Sequence, residues 1–205
     1  MASCENGPVT SGVTEAIGAA ASDQMGPAHV LVVGGSTGDW DALGGSAWAT
    51  RRRSLGELAA QLGVEWLTIR PYSVEGVAGL AGRLRSANDA APVTVTVEPV
   101  GCCTVIVDPA ADGRERFAAA MRSLSGDPVN EASVAGVLYE PADCEPDLVL
   151  VLGPPTRLPP SLVWELAYAE LVFMEVPWGD LKPDHLAEAV AEYAGRRRRF
   201  GGLDA

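Results

Sequence analysis

The chain reads as an α/β protein, a single domain with one parallel β-sheet covered by helices, and three observations predict this. From about residue 28 onward, short apolar runs alternate with segments of helical spacing. The run Leu148–Leu152 is apolar at every position, as a central strand covered on both faces must be. The first run, His29–Val33, passes directly into Gly34, Gly35, Ser36, Thr37 and Gly38. Such a loop suits the carboxyl end of a parallel strand, where sheets of this class bind ligands.

The elements follow in order. After the glycine loop, Ser54–Leu62 has helical spacing, with Ser54 as cap, Glu57 three residues on, and Gly63 as the stop. A second strand, Glu65–Ile69, leads into Arg70, Pro71, Tyr72 and Ser73, and Glu75–Leu84 is the next predicted helix. Val93, Val95 and Val97 alternate with Thr94 and Thr96, the pattern of a strand exposed on one side. Thr104–Val107 is another strand, and Gly113–Leu124 a helix through Phe117, Ala120 and Met121. Beyond the central strand, Gly153–Arg157 forms an exit loop. Ser161 is placed to cap a helix whose Val163, Trp164, Ala167, Tyr168, Leu171 and Val172 make a wide apolar face. The last helix, Pro183–Tyr193, has Pro in its first turn and Leu186, Val190 and Tyr193 on one side.

Composition narrows the function classes. The chain has 205 residues, 47% hydrophobic, enough for one well-filled core. Its formal net charge is -12 although Arg196–Arg199 are consecutive, so an acidic body carries a basic tail. Such a body disfavours nucleic acid and anionic membrane, and confines anion binding to particular loops or to the tail. The cysteines at 4, 102, 103 and 144 lack CxxC spacing, and only two histidines accompany them. No structural zinc is expected, and the cysteines read as small buried residues of a reducing compartment, the cytoplasm. Residues 1–27, rich in Ala, Gly and Ser, read as a disordered extension, with Met25 as an alternative start, and 203–205 as a terminal tail. No run reaches the ~20 apolar residues of a membrane-spanning helix.

One family fits the motifs. Trp164, Ala167, Tyr168, Glu170, Leu171 and Phe173, leading through Trp178 to Arg199, Phe200, Gly201 and Gly202, resemble the C-terminal signature of the cis-prenyltransferases, the undecaprenyl diphosphate synthase family. Residues 28–202 would then be one cis-prenyltransferase-like domain. In that family the loop after the first strand reads Met-Asp-Gly-Asn-Gly-Arg-Trp, and here Gly34–Trp40 stand in its place. The resemblance puts the family's catalytic Asp, which helps position magnesium and the starter diphosphate, at Gly35. It puts the diphosphate-clamping Arg at Asp39. Replacing a metal-handling carboxylate and reversing a charge at a phosphate contact remove the electrostatics that ionisation of the allylic bond needs.

The other family segments are similarly thinned. Leu67–Gly76 keeps Leu67, Thr68, Ser73 and Glu75, but the Asn implied at the end is Gly76. After the central strand, the arginine and serine implied to hold isopentenyl diphosphate are Val151 and Pro159, leaving Arg157 as the candidate phosphate ligand. Arg51, Arg52 and Arg53 are possible substitute anion contacts, or a solvated basic face. The resemblance implies diphosphate-binding roles for Ser73, Arg157 and Glu170, and for Arg199, Phe200 and Gly201 reaching across a dimer into the partner's site. No residue is predicted to be catalytic or to hold metal here, and Mg2+ would sit mainly with a catalytic partner.

Three functions remain. The pattern resembles the non-catalytic subunit of heteromeric cis-prenyltransferases, of which the Nogo-B receptor is the animal representative, pairing with a catalytic homologue. The alternatives are a divergent active cis-prenyltransferase drawing on Asp39, Asp41 and Glu75, and a prenyl diphosphate binder without turnover. The apolar stripe around Trp164 and Tyr168 predicts dimerisation, with itself or with a homologue.

Overall fold

A computed structural model describes residues 26–43, 45–72, 95–126 and 128–196. Six strands form one sheet in the order β3-β4-β2-β1-β5-β6. They are β1 (His29–Val33), β2 (Trp66–Arg70), β3 (Thr96–Val100), β4 (Cys103–Val107), β5 (Leu148–Leu152) and β6 (Glu170–Met174). Among the described residues five helices accompany them: α1 (Thr37–Ala42), α2 (Gly45–Gln61), α3 (Gly113–Ser123), α4 (Glu131–Tyr139) and α5 (Pro183–Gly195). All neighbouring strands are parallel except β3, which pairs antiparallel with β4 across a turn at Gly101 and Cys102. The predicted α/β class holds, with one antiparallel edge.

Strand alternation divides the core in two. Val30, Val32, Leu67, Ile69, Leu148 and Leu150 pack with Leu55 and Ala59 of α2 and Leu186, Ala189 and Tyr193 of α5. Leu31, Val33, Val149 and Val151 face the other way, toward Leu162 and Tyr72. Each such buried Val or Leu contributes about 1.5–3 kcal/mol. On α2, a Cβ at Gly56 would meet Val105 Cγ2 at 2.7 Å and Val100 Cβ at 2.9 Å, so this glycine lets the helix lie close on the sheet.

Several expectations are corrected. Ser54 is not a cap. It lies inside α2, its hydroxyl donating to the Arg51 carbonyl at 3.2 Å, and the helix begins nine residues earlier, at Gly45. The helix expected from Ser161 is absent. A short 3-10 turn at Glu165–Ala167 leads into strand β6, and Ser161, fully buried, makes no capping bond. Helix α4 was not foreseen, although Asn130 and Ser133 form its capping box. Cys103 is a buried free thiol as expected, whereas Cys102 is exposed and disulfide-bonded. The predicted helix 75–84 lies outside the described residues. Among those that are described, no helix is long and apolar enough to cross a membrane.

Candidate functional site

The loops after β1, β2, β5 and β6 enclose an open cavity of about 670 Å3. It sits where the sheet order reverses on either side of β1, the place at which parallel sheets open a crevice. Its floor is the glycine loop, several of whose donors are engaged within the protein. Gly34 N–H donates to the Arg70 carbonyl at 3.1 Å. Ser36 donates from both its backbone N–H, at 2.7 Å, and its hydroxyl, at 2.9 Å, to Asp39 Oδ2. Asp39 N–H returns a bond to Ser36 Oγ at 3.1 Å. The backbone donors at Ser36 and Asp39 that would face a phosphate are therefore held within the loop, with the Asp39 carboxylate as the anion.

Beside this loop stands an aromatic wall. Trp178 stacks on Trp40, centroids 5.5 Å apart, and Trp48 packs edge-on to Trp40 at 4.7 Å. The Arg51 guanidinium lies 4.6 Å from the Trp178 ring centroid and donates to the carbonyls of Trp178 and Gly179 at 2.7 and 2.8 Å. Trp40 Nε1 donates to the Gly34 carbonyl at 2.8 Å. The result fixes the indole against Gly35, whose φ is +70°. A Cβ there would meet Trp178 Cγ at 2.7 Å. No side chain fits at that position without displacing the tryptophan.

A polar cluster at the ends of β2 and β4 borders a separate cavity, lined in part by Arg70, Asp108 and Arg116. Arg70, at the end of β2, donates to Asp108 at 3.1 Å and to Glu165 at 2.7 Å. Arg116 of α3 reaches the same two carboxylates, each at 3.2 Å, and the Leu138 carbonyl at 2.8 Å. Arg70 and Glu165 are essentially inaccessible. Burial alone would raise the Glu165 carboxyl, but the two arginines outweigh it and hold its pKa at about 2. Two cations and two anions so arranged compensate one another, and the cluster ties the segment after β5 to β2, β4 and α3.

The predicted residues separate. Arg157 lines the cavity, exposed, its carbonyl accepting from the Tyr72 hydroxyl at 2.7 Å. Glu170 does not line it. It opens β6 at the opposite end of the sheet and pairs with Arg196 at 2.9 Å. Ser73, Arg199, Phe200 and Gly201 lie outside the described residues, as does Glu75. Among the three arginines of α2, Arg51 is committed to Trp178 and Gly179, Arg52 pairs with Glu98 at 3.4 Å, and Arg53 is exposed. The sequence reading passed over Tyr72, Glu175 and Trp178 as cavity residues. Their position directly after strand ends was the available signal.

Magnesium does not fit this loop. Gly35 offers no donor, Asp39 is engaged by Ser36, and no cluster of three or more His, Cys, Asp or Glu is placed to hold a metal among the described residues.

A profile described as putative undecaprenyl diphosphate synthase matches residues 102–201. Isoprenyl transferase 2 of Bradyrhizobium diazoefficiens is 30% identical over 86% of this chain and 91% of its own length. A bifunctional CrtB/UppS protein of Streptomyces coelicolor is 46% identical over 44% of this chain, and an isoprenyl transferase of Caulobacter vibrioides 43% over 38%. In those two matches the chain spans only 17% and 30% of the relative. The fold is shared with a probable undecaprenyl diphosphate synthase from Campylobacter jejuni, TM-score 0.58 and 15% identity over 87% of this chain and 100% of that one. It is shared also with lavandulyl diphosphate synthase from Lavandula x intermedia, TM-score 0.55 and 19% identity over 86% of this chain and 98% of that one. With the fold, the near-complete alignment and the profile in agreement, the chain belongs to the isoprenyl transferase (undecaprenyl diphosphate synthase) family.

Proposed function

We propose that this chain is the non-catalytic subunit of a heteromeric cis-prenyltransferase. It pairs with a catalytic homologue that condenses isopentenyl diphosphate onto an allylic prenyl diphosphate, and lends Arg199, Phe200 and Gly201 to that partner's site. The partner supplies the acid and the Mg2+. The observation carrying this reading is the indole of Trp178 against Gly35, which leaves no space for a carboxylate where the family resemblance calls for one. Asp39, tied to Ser36, does not replace it.

Geometry also supports a tail that acts on a neighbouring subunit. Helix α5 begins just after the cavity residues Trp178 and Gly179, and its 13 residues carry the chain about 20 Å away. It is followed by its C-cap Arg196, paired with Glu170 at the far end of β6. From there the backbone to Arg199 adds at most about 11 Å.

A second reading is a divergent active enzyme drawing on Asp39, Asp41 and Glu75. Incubation with farnesyl diphosphate, labelled isopentenyl diphosphate and magnesium separates the two. Product from the pair and none from the chain alone is expected, and Arg199→Ala should abolish it. Turnover by the chain alone would overturn the subunit reading.

A further inference from the structure

The cavity bordered by Arg70, Asp108 and Arg116 is distinct from the one beside the glycine loop, and no residue is common to the two linings. It measures about 410 Å3. Ile106 of β4, Ala119 and Ala120 of α3, and Val137 and Leu138 of α4 give it apolar walls. Most of its polar side chains are already engaged. Arg70 and Arg116 share the Asp108 and Glu165 carboxylates, Thr68 Oγ1 donates to His29 Nε2 at 2.9 Å, and Ser123 Oγ donates to the Ala120 carbonyl at 2.8 Å. Glu140 is exposed to solvent. Tyr139 is the exception. It lines the cavity, is 5% exposed, and its hydroxyl has no hydrogen-bond partner among the described residues. A buried hydroxyl is costly to leave unpaired, so a partner supplied from outside the chain is a net gain.

Charge decides what that partner is. Two guanidiniums and two carboxylates neutralise one another beside the cavity, so an added anion or cation would be buried without a counter-charge. The same balance disfavours a diphosphate here. Burial, with Glu165 nearby, raises the Tyr139 pKa above its ordinary value, so the hydroxyl stays protonated and offers one donor and its lone pairs. The apolar walls accept a hydrocarbon body. We propose that this cavity is a binding site for a small uncharged molecule, a single hydroxyl or carbonyl on a compact apolar body, whose polar atom meets the Tyr139 hydroxyl. Such a ligand needs neither the tail nor a catalytic partner, so its binding is independent of the subunit reading.

Amide NMR titrations of the full chain with para-propylphenol, propylbenzene and para-propylbenzoate test it. The phenol should bind saturably and move the amides of Ala119, Ala120 and residues 137–140. Propylbenzene, which lacks the hydroxyl, and the benzoate, which brings an unpaired charge, should each bind at least about threefold more weakly. Tyr139→Phe should weaken the phenol by about three- to tenfold and leave propylbenzene unchanged. Its urea midpoint should stay level or rise, because the group removed is an unpaired hydroxyl. Ala119→Trp, at an exposed position of α3, fills the cavity and should abolish binding of both. No saturable shift at these amides, a benzoate that binds more tightly than the phenol, phenol binding indifferent to Tyr139→Phe or surviving Ala119→Trp, or a Tyr139→Phe variant that loses stability would each overturn the proposal.

Discussion

Gly35 shows how a single position can be read from sequence while its environment cannot. Its place five residues before Trp40, at the end of a strand, aligned it with the family's acid. Trp178, which fills the space above it, comes from a distant part of the chain and meets it only when β1, β5 and β6 align. Restoring the carboxylate should therefore not restore an acid site. Gly35→Asp meets Trp178 Cγ and takes a left-handed backbone, at a cost of about 2–3 kcal/mol in urea unfolding. Trp178→Ala should lower that penalty in the double variant by about 1 kcal/mol or more. Additive costs would show that the two residues do not compete for the same space.

At the scale of elements, the segment between β5 and β6 separates what was legible from what was not. β1, β2, β4, β5, α3 and α5 were readable because each satisfies its own local rule of strand composition, capping or helical spacing. Residues 161–172 satisfied a helical rule too, and yet form a turn and a strand. The reason is non-local. Glu165 is drawn inward by Arg70 and Arg116, while Leu171 and Phe173 join Val172 in pairing with β5. That arrangement leaves Val163, Leu166 and Tyr168 exposed. α4 was missed for the opposite reason, since the Asn130 and Ser133 capping box was present but not recognised. Glu165 is thus the inner anchor of the segment, and Glu165→Ala should cost about 3–5 kcal/mol by leaving the buried Arg70 and Arg116 to share the single carboxylate of Asp108. Hydrogen exchange at residues 161–169 should accelerate more than at β1. A loss under about 1 kcal/mol would mean that packing, not the ion cluster, holds this segment.

For the molecule as a whole, two buried groups set the response to acid. His29 donates from Nδ1 to the Cys144 carbonyl and, as a neutral ring, accepts at Nε2 from the Thr68 hydroxyl, with Tyr139 edge-on and Arg70, Asp147 and Glu165 nearby. Burial lowers its pKa from 6.5 to about 4, against the raising effect of its bond to Cys144. As pH falls from about 6.5 to 4, the unfolded chain gains a proton that the folded one refuses, so stability declines by up to roughly 3 kcal/mol. Glu165 continues the decline. Its folded pKa is about 2 against an ordinary 4.5, so its ion-cluster stabilisation is complete above about 4.5 and is lost as pH falls toward 2. The two windows adjoin, and unfolding free energy should fall steadily from near pH 6.5 downward. His29→Gln, which can still bridge Thr68 and Cys144, should flatten the curve between pH 6.5 and 4 and leave the lower limb in place. Urea titrations at half-unit intervals would resolve this, and an unchanged upper limb in that variant would remove His29 as its cause.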